Sequence, residues 1–299
     1  MRVVVTIPHY YEPRGRATED GREHGSTGLD PEPRRVALTA CVEALWRNYG
    51  PRQHVFDIEQ HVSLDANRTR GATIDIVVCT TRGRHLLGSL PLPIGAVQHH
   101  ATRAEPLLLG FECQAVLRDC LGYYDYYAYL EDDLITRDPW LFRKLAWFTS
   151  TFGDDSLLQP NRYEVGPLGV THKIYIDGPI RAQATASFQD LNDRPSLSAD
   201  FLNVPIGFDR AKNPHAGCYF LNASQMEHWS KRPFFLDRDT GFVGPLESAA
   251  TLGVMRTFRL YKGRHENASF LEIEHFGTEF LNFIIGAGGF SSPDGQGAR

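Results

Sequence analysis

Three runs, RVVVTIP at 2–8, ATIDIVVCTT at 72–81 and YYAYLEDD at 126–133, are apolar and β-branched or aromatic with little polar alternation. Such runs read as strands buried on both faces. Helical patterns separate them. Behind Pro33, residues Val36, Ala40, Leu45 and Tyr49 recur at near-helical spacing up to Gly50, and PLLLGFECQAVLRDCLG at 106–122 reads as a helix stopped by Gly122. Strands buried on both faces and alternating with helices predict an α/β fold: a doubly wound, mainly parallel central sheet flanked by helices. Beyond residue 150 the pattern is less regular. SLLQPNRYEV and HKIYIDGPI read as strands, 182–214 as loop, and GPLESAATLGVMRTFRLYK as a helix and a short strand. No internal repeat or sharp linker divides the chain, so a single domain over 1–299 is expected.

Composition narrows the function. The net charge of −5 over 299 residues offers no surface for tracking phosphates, so no nucleic acid is expected as a partner. No apolar run reaches the length of a transmembrane segment, and the apolar stretch before Pro8 is too short for a signal peptide, so the expected location is cytoplasmic. Cys41, Cys79, Cys113, Cys120 and Cys218 are odd in number and lack a C-x-x-C pair, which reads as reduced core thiols.

The third strand ends in Glu131, Asp132 and Asp133. Three adjacent carboxylates repel one another and resist desolvation, a cost that a divalent cation offsets. In doubly wound sheets ligands lie beyond the C-terminal ends of strands, where these acids stand and where TIPHYY arrives if the first strand is central. The plainer alternative is a solvated strand-to-helix corner capping the helix over 138–152.

Together, the opening strand VVVTIPHYY, the D-x-D-like EDD at a strand end, HAGCYFLN at 215–222, PLE at a helix start and a late histidine resemble the GT-A class of nucleotide-sugar glycosyltransferases. The resemblance implies a sugar transfer from a nucleotide-sugar donor, such as a UDP- or GDP-sugar, to a saccharide or glycoconjugate acceptor, assisted by Mn²⁺ or Mg²⁺ on the leaving diphosphate. It divides the chain into a nucleotide-binding half over 1–150 and an acceptor-side half over 151–286, while the Gly- and Ser-rich stretch after Gly286 reads as a flexible tail over 287–299. Asp133 becomes the first choice for the metal. Asp132 would bind ribose or a metal-bound water, and Glu131 stands where the common motif has its first Asp. His275 would complete the metal shell, with His265 its competitor and Glu274 and Glu279 as outer acceptors.

By the same resemblance, an inverting enzyme takes its general base from a helix start in the second half. Glu247 stands there, although an acid in a first turn is also explained by the helix dipole, and Asp237 and Asp239 are the other candidates. A retaining enzyme would need no such base. Thr6 and Pro8 would meet the nucleotide by backbone contacts, Tyr10 by stacking, and Thr81, with its neighbours Thr80 and Arg82, would reach the base. Arg103 would meet the diphosphate. His215, Gly217 and Tyr219 would line the acceptor cleft, with Trp229 a further surface for a sugar.

Rival classes are a nucleotidyltransferase, which would carry a compact Gly-rich loop after the first strand, and a non-catalytic calcium- or sugar-binding module. No P-loop, dinucleotide or serine-hydrolase motif is present.

Overall fold

The structure, a computed structural model, describes residues 1–13, 25–67, 72–166 and 173–286. The expected tail at 287–299 and residues 14–24, after the first strand, lie outside these residues. The chain runs β1 (Arg2–Pro8), α1 (Glu32–Tyr49), β2 (His54–Asp57), β3 (Val62–Asp65), β4 (Thr73–Thr81), β5 (Gln98–Thr102), α2 (Leu109–Asp119) and β6 (Tyr126–Leu130). It continues through β7 (Leu134–Ile135), α3 (Leu141–Phe152), β8 (Ser156–Leu158), β9 (Asn161–Val165), β10 (Lys173–Tyr175), β11 (Ser196–Phe201) and β12 (Val204–Arg210). Last come β13 (Cys218–Asn222), α4 (Ala223–Ser230), α5 (Pro245–Met255), β14 (Arg259–Gly263), β15 (Glu272–His275) and α6 (Glu279–Gly286).

The central sheet has the order β13-β6-β1-β4-β5. Strand β1 is parallel to both β4 and β6, β5 is parallel to β4, and only β13 runs antiparallel, at the edge against β6. Because side chains alternate across a strand, β1 feeds two cores. Val3, Val5 and Ile7 pack with Leu38 and Leu45 of α1 and Leu145 and Phe148 of α3. On the opposite face, Val4 joins Cys113 and Leu117 of α2, Trp229 of α4 and Leu252 of α5. The expected mainly parallel, doubly covered α/β sheet is present, and the C-terminal ends of β1, β4, β5 and β6 form one rim.

Two smaller sheets, β10-β9-β15-β7 and β11-β12-β14-β8, make up most of the second half. Part of the region expected as loop over 182–214 is instead the hairpin β11–β12. Its connection places Leu202 and Asn203 at φ of 51° and 64°, the left-handed pair that a tight two-residue turn needs. The acidic triplet also departs from the plainer alternative of a strand-to-helix corner. It is a turn between β6 of the central sheet and β7 of the second sheet, and Asp138 is the side chain that accepts the Trp140 N–H (2.8 Å) ahead of α3. No helix among the described residues is long and apolar enough to cross a membrane.

Candidate functional site

The site is built around the turn 131–133. The Glu131 N–H donates to the Gly217 carbonyl (3.0 Å), the Leu134 N–H returns to the Glu131 carbonyl (3.1 Å), and the Phe276 N–H donates to the Asp133 carbonyl (2.7 Å). The turn is thereby stitched to the start of β13 and the end of β15. Gly217 has a φ of +61°, and a Cβ there would run into the Glu131 carboxylate and Leu134, so only glycine suits this approach.

The three acids have different surroundings. Asp132 is only 1 % exposed: its Oδ2 meets His9 Nδ1 at 2.5 Å and its Oδ1 meets Arg34 Nη2 at 2.5 Å. His9 lies just past β1, fully buried, and its Nε2 accepts the Leu86 N–H at 3.1 Å. That acceptor role leaves the proton on Nδ1, which donates to Asp132. Asp133 takes the second prong of Arg34 (Nη1 to Oδ2, 3.2 Å), while its Oδ1 is buried with no hydrogen-bond partner among the described residues. Burial first, and then the charge of Asp133, push the Glu131 carboxyl up to about 7.

His275 reaches the turn through β15, which pairs His275 with Leu134 and, on its other side, Ile273 with Arg162. Its Nδ1 lies 3.0 Å from Glu164 Oε1, and the Glu164 oxygens also accept the N–H groups of Phe280 and Leu281 at the start of α6. Burial lowers the His275 pKa, but the Glu164 bond and the nearby Asp133 more than offset it, so the net shift is upward. The carboxylate facing His275 Nδ1 is that of Glu164, while Glu274 pairs with Arg137 (2.8 Å). The competitor His265 lies in the short turn after β14.

Behind the turn lies an ionic cluster. Asp177 pairs with Arg162 (2.8 Å) and Lys262 (2.7 Å), and Lys262 also donates to the His215 carbonyl (2.9 Å). Burial raises the Asp177 carboxyl, yet Lys262 and Arg162 together hold it down at about 2. His215 Nδ1 lies 3.2 Å from Thr251 Oγ1, and burial, reinforced by Arg162, depresses its imidazole to about 3. Glu247 sits in the first turn of α5, four residues before Thr251 and so on the same helix face, directed toward the helix start.

The other expected residues are less concentrated. Thr6 and Pro8 are held in the β1–β4 ladder, and the Thr6 hydroxyl donates to the Ala128 carbonyl, so His9 and Tyr10 carry β1 onto the rim. The Tyr10 hydroxyl donates to Glu12 (2.5 Å), and burial followed by that bond raises it to about 12. Thr81 is buried, donating to the Ala104 carbonyl (2.6 Å), while Arg103 follows β5 on the rim and is exposed. Tyr219 and Trp229 are 1 % exposed: Tyr219 stacks on Tyr129 and meets Trp229 edge-on, so both are core side chains. His265, Asp237 and Asp239 stand apart from the turn in sequence, and Arg256 pairs with both aspartates.

Sequence reasoning missed His9, Arg34, Arg162, Glu164, Asp177 and Lys262. His9 carried a usable signal, because a polar residue directly after a fully buried central strand falls on the rim. The others look like ordinary surface charges in the sequence.

The fold and site define a mainly parallel, doubly covered α/β protein with an acidic turn at the carboxyl rim. No family model matches the chain, and no curated protein matches it. Among solved structures, TarS of S. aureus is similar at a TM-score of 0.45 and 9% identity, over 93% of this chain and 37% of that one. TarS 1-349 is similar at 0.43 and 11% identity, over 94% of this chain and 62% of that one. TarS 1-349 in complex with UDP-GlcNAc gives 0.40 and 13%, over 87% and 55%. The chain thus spans between 37% and 62% of the length of these TarS chains.

Proposed function

We propose that the chain is a metal-dependent glycosyltransferase of the GT-A kind, moving a sugar from a nucleotide-sugar donor to a saccharide or glycoconjugate acceptor with inversion. The observation that carries this reading is Asp133 Oδ1, a buried carboxylate oxygen without a partner among the described residues, at the carboxyl rim of a parallel sheet. The donor set suits Mn²⁺ or Mg²⁺: oxygen from Asp133, help from Glu131, and Nε2 of His275, whose other nitrogen is engaged by Glu164 as in many metal-binding histidines. Among the described residues no three of these side chains stand close enough to hold an ion together, so the proposal needs substrate phosphates to complete the shell.

When bound, the ion would neutralise charge on the departing diphosphate. The protein's own parts do the rest. Arg103 meets the phosphates from the rim, and the Asp132–His9–Arg34 lock keeps the turn in position. Glu247, in the first turn of α5, takes the proton of the acceptor hydroxyl. The five free cysteines accord with a reducing cytoplasm.

A thermal-shift screen of UDP, GDP and their sugar conjugates, with and without Mn²⁺, tests the reading. A nucleotide that raises the melting temperature only with Mn²⁺ is expected, and Asp133→Ala should abolish that response while leaving a folded protein. Glu247→Gln should keep donor binding and reduce transfer by about 10²-fold or more. Stabilisation by Ca²⁺ with no nucleotide response would identify a binding module instead.

A further inference from the structure

Arg34 stands in the first turn of α1, where the helix dipole disfavours a cation. Its guanidinium nevertheless forks between two adjacent carboxylates, and its Nε is buried without a partner among the described residues. The fork is unequal. One prong is a 2.5 Å contact to Asp132, which His9 also holds and which is 1 % exposed; the other is a 3.2 Å contact to Asp133, which is 23 % exposed. Burial works against the charge on Arg34, but Asp132, Asp133 and Glu131 raise its pKa overall. A positive group thus already balances the turn.

We propose that Arg34 is the resident counter-ion of the acidic turn, releasing Asp133 but not Asp132 when a divalent ion binds, and so setting the affinity for that ion. This rests on the metal-dependent reading above. Since Asp132 is fixed from two sides and Asp133 from one, the weaker, more exposed contact is the one that yields. An ion on Asp133 must then compete with the guanidinium, so the native site binds metal less tightly than its carboxylates alone would allow.

Arg34→Lys separates the two prongs, because one ammonium keeps the charge beside Asp132 but cannot span both acids as a planar fork does. Mn²⁺ is titrated calorimetrically into the full chain in saturating UDP, and in a parallel series in saturating GDP, with folding checked by circular dichroism. The expected result is Mn²⁺ binding about two- to fivefold tighter than in the native protein, the scale of one partly exposed ion pair. The metal-free variant should melt lower, and the rise on adding Mn²⁺ should be larger. Arg34→Gln, read in the same way, serves if the lysine variant does not fold. Native protein that binds Mn²⁺ alongside a folded variant that binds it no more tightly overturns the role of Arg34 alone. Absence of Mn²⁺ binding in both overturns the metal-dependent reading as well.

Discussion

The acidic turn separates two interiors of opposite character. On one side, β1, β4 and β6 are covered on both faces by aliphatic and aromatic side chains, and Val3, Val4, Val5 and Ile7 are completely buried in succession. On the other side, β9 and β14 contribute Arg162, Glu164 and Lys262, which close on Asp177 and His275 with less than a tenth of Arg162, Glu164 and Lys262 exposed. The first interior is stabilised by contact area and tolerates small changes of volume. In the second, every charge depends on a particular partner, because the low-dielectric surroundings penalise any group left alone. The difference suggests that the central sheet maintains the fold, while the charged region fixes the orientation of groups around Gly217 and Glu131.

The largest expected effect tests that contrast directly. Asp177→Ala leaves Arg162 and Lys262 facing each other without their shared carboxylate. A loss of about 3–5 kcal/mol in urea unfolding is expected, the cost of breaking a buried charge network from one side. In the central sheet, Ile76→Val removes one fully packed methylene and should cost about 0.5–1.5 kcal/mol. If the two variants unfold at similar midpoints, the charged interior is more hydrated and more forgiving than its burial indicates.

The same division explains what was legible in the sequence. Unbroken apolar runs announce strands that are buried on both faces, so β1, β4 and β6, the helices between them and the position of the acidic triplet were readable. Strand β5, with the sequence QHHAT, was not: it is exposed at the sheet edge and has no apolar signature. Nor was the β11–β12 hairpin, whose turn is made by Leu202 and Asn203 rather than by glycine. Arg162, Glu164, Asp177 and Lys262 were hidden for another reason. A buried charge is recognised by its partner, and these partners lie 15–117 residues apart in the chain. Asp132 was visible as an acid at the rim, but its commitment to His9 and Arg34 depends on the parallel pairing of β1 with β6 and on the packing of α1.

A smaller effect distinguishes the two interiors by pH. His215 is held at about 3 in the folded protein, against an ordinary value of 6.5. Between those values the unfolded chain binds the proton and the folded chain does not, so stability is full above about pH 6.5 and falls as the pH drops toward 3. The slope should approach about 1.4 kcal/mol per pH unit from this residue. His215→Asn should flatten the acid limb when urea midpoints are compared at pH 7.5, 6 and 5. A slope unchanged in the variant would place the acid sensitivity elsewhere in the cluster.

The smallest effect belongs to the ordinary side of the molecule and should be indifferent to pH. Asn222 ends β13 and caps α4: its side chain accepts the Gln225 N–H (2.8 Å), and the Gln225 side chain accepts the Asn222 N–H (3.1 Å). Asn222→Ala removes one half of this reciprocal box and the contact from Asn222 Nδ2 to Asp154 (2.7 Å). A loss of about 1 kcal/mol is expected. Asn222 is not titratable and its cap is local, so the loss should be nearly equal at pH 7.5 and pH 5 and additive with Asp177→Ala. A cost that grew at low pH, or a double variant far from the sum, would mean that α4 and the charged cluster unfold as one coupled unit, and the two interiors would then have to be treated as a single structure.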